Sequence, residues 1–232
     1  MANTQHVIAN RLTGEANQSR KMVLMIGAPI VAILCILFPV VSWWFLIAFL
    51  IIFLNAGTIK RAGARGEDST LDVLAALPDS YVILNQIELP NPETKKGFTE
   101  LDFIVIGSNG VFVIEVKNNN SRIVGSEEER EWTIYKIGRK GTPYASSMRN
   151  PIKQVKGQIW ILSKYLKERG HKAWIDGVVY FSNPDSDVEF IGTPSVPIFF
   201  NGGLTHYIQS YRPKFPVKNP DKIVDTLVSL RK

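Results

Sequence analysis

At 232 residues the chain has room for one domain of ordinary size and an appendage. Its single cysteine, Cys35, excludes disulfide staples and any cysteine-based zinc cluster, and His6, His171 and His206 are too scattered for a histidine metal motif. The net charge of +6 favours an anionic partner, and neither a G-x-x-x-x-G-K-[ST] phosphate loop nor a G-x-G-x-x-G turn occurs.

Residues 1–21 are polar, carry Arg11, Arg20 and Lys21, show no apolar period, and read as a mobile tail. From Met22 to Leu54 no charged residue occurs, which is membrane-grade hydrophobicity. The run is at least twice the about 7–15 apolar residues of a signal peptide, so that reading is set aside. A single helix over it would be about 50 Å long against a hydrocarbon core of about 30 Å. Pro39 near its middle weakens the helix, Ser42 can cap a new one, and Trp43 and Trp44 suit a membrane interface. The segment 22–57 is therefore predicted as a transmembrane helical hairpin turning around 38–44, with a single tilted span as the competing topology. Basic residues flank it on both sides: Arg11, Arg20 and Lys21 before, Lys60, Arg61 and Arg65 after. A hairpin would bring both sets to the cytoplasmic face. The expected location is thus cytoplasmic or at an inner membrane, with the soluble domain facing the cytoplasm.

A basic linker follows at 58–65, and the soluble domain is expected to start at Gly66. Residues 66–77 read as a helix ended by Pro78, with Glu67 and Asp68 in its first turn, where either favours the helix dipole. Residues 80–89 read as a strand closed by Pro90-Asn91-Pro92.

Residues 100–117 organise the rest. Two runs rich in Val, Ile and Phe flank Gly107-Ser108-Asn109-Gly110, a strong hairpin signal. A Ser108-Asn109 loop sets Asp102 opposite Glu115; an Asn109-Gly110 loop sets it opposite Lys117. Either way strand parity brings Asp102, Glu115 and Lys117 to one face, with Phe103, Val105, Phe112, Ile114 and Val116 on the other. The charged face continues through Ile104, Ile106, Val111 and Val113, so the hairpin is buried on both sides. The plain explanation is a cross-strand ion pair of Asp102 with Lys117. Glu115 is then a surplus acid beside a buried strand, costly unless something binds it, and a divalent cation is the simplest candidate.

Short strands are expected at 122–125 and 132–137, then a loop over 138–149. Residues 150–170 read as a helix with Asn150 as cap, Pro151 at its first position, Gly170 at its end and an apolar stripe of Ile152, Val155, Ile159, Leu162 and Leu166. Gln154 lies on the flank of that stripe. From 139 to 172 nine basic residues face only Glu168. Much of this is a solvated helix face; the loop and helix start, through Arg139, Lys140, Arg149, Lys153 and Lys156, are the better candidates for contacting nucleic-acid phosphates. Strands at 174–181 and 196–200 and two small helices at 204–211 and 220–230 complete the chain.

An aspartate on one strand followed by E-x-K on the next resembles the PD-(D/E)xK nuclease superfamily, and its surroundings resemble the nuclease-related domain (NERD) family. The resemblance rests on Gly66-Glu67 at a helix start, Leu101-Asp102 entering a strand, Gly110–Lys117 on the next, and Asn150-Pro151-Ile152-Lys153-Gln154 opening a helix; it covers roughly residues 63–200. It implies an α/β fold with a restriction-endonuclease-like αβββαβ core and mixed sheet. The nuclease-related domain would occupy 66–200 and a C-terminal helical extension 201–232. It implies a nuclease hydrolysing phosphodiester bonds with Mg²⁺ or Mn²⁺ and nucleic acid (DNA first) as partner; the apolar run makes it membrane-anchored, and the missing phosphate-loop motifs imply no nucleotide cofactor. Asp102, Glu115 and the carbonyl of Val116 would then be metal ligands. Glu67 would assist from its helix, Lys117 would orient the attacking water or stabilise charge, and Gln154 would orient water or phosphate. The competing class is a non-catalytic, membrane-tethered module of the same fold that binds nucleic acid or an acidic partner.

Overall fold

The computed structural model describes residues 1–138, 141–200 and 202–231. The chain divides into two compact units, one formed by Met1–Ile8 with the residues from Gly66 onward, the other by Ala9–Arg65.

In the second unit α1 (Arg11–Met22) continues through a π-helical turn at Val23–Gly27 into α2 (Ala28–Leu37), and a 3-10 turn at Pro39–Val41 leads into α3 (Ser42–Asn55). The break falls where proline cannot continue the helix: Phe38 leaves helical geometry at φ −132°, ψ 65°. Arms α2 and α3 fold back on each other. Gly27 makes room for Phe49, whose Cε2 would lie 2.7 Å from any Cβ there, and Phe38 packs edge-on against Phe45 at 6.3 Å. Two helical stretches, Arg11–Leu37 and Pro39–Ala75, are long and apolar enough to cross a membrane, and their apolar windows are not buried within the protein. At the turn Trp43 and Trp44 are exposed.

Helix α4 (Thr58–Ala75) begins earlier than the expected Gly66, so residues 58–65 are helical rather than an open linker. Lys60, Arg61, Ala62 and Ala64 are good helix formers, and only Gly63 interrupts them. Next come β1 (Val82–Pro90), β2 (Phe98–Gly107), β3 (Gly110–Lys117), β4 (Arg122–Ser126), β5 (Glu131–Ile137), β6 (Pro143–Arg149), α5 (Pro151–Glu168), β7 (Ile175–Phe181), β8 (Asp187–Ile191), β9 (Ile198–Phe200), α6 (Leu204–Ser210) and α7 (Pro220–Val228). One mixed sheet has the order β1-β2-β3-β7-β9, antiparallel through β3 and parallel beyond it; the other has the order β6-β5-β4-β8. The expected αβββαβ core is present as α4-β1-β2-β3-α5-β7, with β4–β6 inserted before α5.

The central hairpin is apolar on both faces because each face has its own core. Ile104, Ile106, Val111 and Val113 pack under Leu162 and Leu166 of α5, while Phe103, Val105, Phe112 and Ile114 pack under Leu74 and Leu77. A third cluster joins Trp132 and Ile134 of the second sheet to Ile152 and Val155 of α5. Close approach of α5 depends on Gly177 of β7, where a Cβ would lie 2.1 Å from Val155 Cγ1.

Besides the early start of α4, and α1 in place of much of the expected mobile tail at 1–21, three further features differ from expectation. Residues 143–149, expected within a loop, form β6: P-Y-A-S-S-M-R lacks apolar alternation, and backbone pairing with β5 alone recruits it as an edge strand. Strand β8 was not expected and pairs in parallel with β4. The extreme N-terminus is not a free tail. Asn3 bridges Val82 in parallel, and both the N–H and the carbonyl of Ile8 bond to the side chain of Asn85. The Arg231 guanidinium donates to the carbonyls of His6 and Asn85.

Candidate active site

The observed register pairs Gly107 with Gly110 and Phe103 with Ile114, so Ser108-Asn109 is the loop and Asp102 stands opposite Glu115. The ladder stops short of that pair. In its place the Asp102 carboxylate accepts the backbone N–H of Val116 at 2.8 Å. On the other flank, β1 pairs Asn85 with Phe103 and Ile87 with Leu101, bringing Gln86 level with Asp102. Gln86 is the one non-glycine residue with positive φ among the described residues, at 51°, and it is buried. A left-handed residue inside a strand costs about 1–3 kcal/mol, so the fold around it must enforce it. Its amide donates to Glu67 Oε2 at 2.9 Å.

Glu115 is 4% exposed. Its Oε1 accepts from Lys117 Nζ at 2.5 Å and its Oε2 from Gln158 Nε2 at 2.7 Å, while the same amide of Gln158 reaches the carbonyl of Glu100 at 3.2 Å. Glu67 enters from the helix on the other face because Gly66 has no side chain. A Cβ at Gly66 would lie 2.5 Å from Asn118 Cβ and 2.9 Å from Ser182 Oγ, at the ends of β3 and β7. The Gly-Glu pair is thus a contact requirement followed by the acid it delivers.

The electrostatics fit a cation. Burial raises the Asp102 pKa well above the usual carboxylate range, and the neighbouring Glu115 charge raises it further; the Val116 N–H and Lys117 oppose this, and Glu67 adds to it. Two desolvated acids, Asp102 and Glu115, therefore share one ammonium, and the charge of Glu67 reaches them from its helix. Among the described residues no group of three or more His, Cys, Asp or Glu side chains is placed to hold a metal ion. Two carboxylates with a backbone carbonyl, completed by water and phosphate oxygens, are a donor set of the kind Mg²⁺ takes. Asp102, Glu115 and the carbonyl of Val116 suit such an ion, and the desolvated, like-charged carboxylates are what it would neutralise.

Asp102, Glu115, Gln154 and Gln158 line a cavity of about 790 Å³ with Arg149, Lys153, Lys95 and Lys96 on its walls. The buried Oε1 atoms of Gln154 and Gln158 have no hydrogen-bond partner among the described residues. Of the five expected phosphate contacts, Arg149 and Lys153 line this cavity, the Lys153 ammonium donating to the carbonyl of Glu128 at 2.5 Å. Lys156 instead bonds Glu127, and that bond together with Ser195 holds the Glu127 carboxyl down at about 2. Arg139 and Lys140 lie outside the described residues. Asn150 is a clamp: its Oδ1 caps α5 through the N–H groups of Ile152 and Lys153, and its Nδ2 donates to the carbonyls of Ser126, Glu127 and Glu129.

Sequence reasoning missed Gln86, Gln158, Lys95 and Lys96. Gln158 carried a signal, since it follows Gln154 by one helical turn and shares its face. Gln86 carried none.

A family model described as the nuclease-related domain matches residues 62–182. An uncharacterised protein of Bacillus anthracis is 34% identical over 109 residues, which cover 46% of this chain and 50% of the relative. The chain thus spans about half the length of that relative. No solved structure matches.

Proposed function

The chain belongs to the nuclease-related domain family, and we propose that it is a membrane-anchored, divalent-metal-dependent nuclease that hydrolyses phosphodiester bonds in nucleic acid. The observation that carries this reading is the pair of opposed carboxylates, Asp102 and Glu115, desolvated on neighbouring strands with Lys117 bonded to one of them.

Asp102, Glu115 and the Val116 carbonyl would hold Mg²⁺ or Mn²⁺. Such an ion, when bound, supplies neutralisation of phosphoryl charge and a lowered pKa for water. The chain's own groups do the rest. Gln158 fixes the Glu115 rotamer through a 2.7 Å bond. Lys117, half-buried beside Glu115, orients the attacking water or neutralises charge developing on phosphorus. Glu67, itself held by Gln86, adds a third carboxylate. Gln154 offers an unfilled acceptor to water in the same cavity, and Arg149 and Lys153 meet the phosphates. Full-length protein in detergent micelles, given DNA and RNA, is expected to cleave with Mg²⁺ or Mn²⁺ and to stop when a chelator is added. Binding without cleavage under every metal tested would instead leave a non-catalytic tethered module.

Residues 22–57 would anchor the protein as a hairpin. Support comes from packing as well as from the charge flanks. Met1–Ile8 and the chain from Gly66 onward form one unit, tied by Asn3 to Val82 and by Ile8 to Asn85. Two segments folded together lie on one side of a membrane, and an even number of crossings is the only way to join them. With Arg20 and Lys21 before the run and Lys60 and Arg61 after it, that side is the cytoplasm. Cysteines introduced singly on short tags ahead of Met1 and after Lys232, in a Cys35→Ser background, should resist an impermeant thiol reagent in intact cells. Labelling at one site alone would mean a single span.

A further inference from the structure

The outer face of α5 carries an arrangement the hydrolytic site does not use. Lys153, Gly157, Trp160 and Lys164 recur at helical spacing, forming one exposed stripe. Three concavities follow it. The 790 Å³ cavity holding Asp102 and Glu115 includes Lys153 and Gly157. A neighbour of about 800 Å³ shares Arg149, Lys153 and Gln154 with it and adds Arg130. A third of about 250 Å³ shares Ile161 and is bounded by Trp160, Lys164 and the Pro90–Glu93 turn.

Two residues on this stripe stand out. Trp160 is 56% exposed in the middle of a helix, with Lys164 Nζ 5.5 Å from its ring centroid. Gly157 sits in the helix interior, where glycine weakens a helix relative to alanine. Among the described residues nothing lies within 4 Å of where its Cβ would be, so none of them requires glycine there. Close approach of a ligand to the helix backbone is one use for a glycine set over open space.

Resting on the nuclease reading above, we propose that an unpaired stretch of the substrate strand runs along this stripe, its sugar-phosphate backbone passing over Gly157 and one base stacking on Trp160. The chemistry is that of single-strand binding: a basic track for phosphates and an aromatic platform that any base can use once it is out of a duplex. Lys153 and Trp160 are about 10 Å apart along the helix axis, so the stack lies beyond the scissile position without leaving the trough. Lys164 is set to meet the phosphate of the stacked nucleotide.

The test uses the full chain in detergent micelles, Mg²⁺, and fluorescent phosphorothioate oligonucleotides that resist cleavage, single-stranded or as blunt duplexes. Trp160→Ala is expected to weaken single-strand binding by about 5- to 140-fold and duplex binding much less, with Trp160→Phe restoring most of the loss. Gly157→Ala is expected to raise the melting temperature by about 2–4 °C and yet to weaken single-strand binding. Trp160→Ala binding the single strand as the parent does, or Gly157→Ala stabilising the protein with no loss of binding, would overturn the strand path while leaving the nuclease reading intact. A parent protein that binds neither oligonucleotide would overturn both.

Discussion

Glu115→Ala is expected to slow phosphodiester cleavage by about a thousandfold or more, since losing one of two carboxylate ligands forfeits several kcal/mol of transition-state stabilisation and each 1.36 kcal/mol is tenfold. Lys117→Ala should cost about a hundred- to a thousandfold, in the range of removing one preorganised electrostatic donor. The two differ in what they leave behind. Removing Glu115 strips an acceptor from Lys117 Nζ and from Gln158 Nε2, both bonded to it now. An abandoned buried polar group costs about 1–3 kcal/mol, so Glu115→Ala should also melt earlier. Glu115→Gln keeps the shape and one acceptor and separates lost chemistry from lost fold: it should stay folded and inactive. Rates of labelled-oligonucleotide cleavage, beside melts followed by circular dichroism, decide the matter. Cleavage persisting in both Glu115→Gln and Lys117→Ala would assign the activity to a contaminant.

Why these residues were legible in the chain, and others were not, follows from the range of the forces involved. Strand parity is local, so Asp102, Glu115 and Lys117 fall on one face in either register, and only the choice of Ser108-Asn109 as loop needed the structure. Capping is local too, which made α5 readable from Asn150-Pro151. The expected role of Asn150 was nonetheless incomplete, because its Nδ2 bonds reach a loop 21 to 24 residues away. Strand β6 has no pattern of its own and exists because β5 offers it a partner. The N-terminal bridge to Val82 joins residues nearly eighty apart through backbone atoms, which leave no mark on side-chain order. Gln86 is the extreme case. A positive φ at a non-glycine residue is imposed by tertiary packing, and glutamine gives no hint of it. That strain sits level with Asp102, so the least legible residue lies beside one of the most legible. Local preference is overridden where geometry serves a site.

Asp102→Asn should make the metal-free protein more stable and less active at once. Burial and the Glu115 charge hold the Asp102 pKa above that of the unfolded chain, about 3.9. Below that value the carboxyl is protonated in both states and carries no penalty. As pH rises through the window up to the raised folded value, the unfolded chain releases its proton while the folded one retains it, and stability falls; above the window the loss is complete. Asparagine never ionises, and its Oδ1 can still accept the Val116 N–H, so the variant should lack this descent and melt higher than the parent at neutral pH in chelator. Divalent cation reverses the order. Mg²⁺ at a hundred times its dissociation constant stabilises the parent by about 2.7 kcal/mol, or about 5–10 °C. That gain should grow with pH across the same window, because the ion competes with the proton on Asp102. Asp102→Asn should gain little at any pH. Equal Mg²⁺-induced shifts in the two proteins would remove Asp102 from the metal site, and a variant melting below the parent in chelator would mean that its carboxylate is structural.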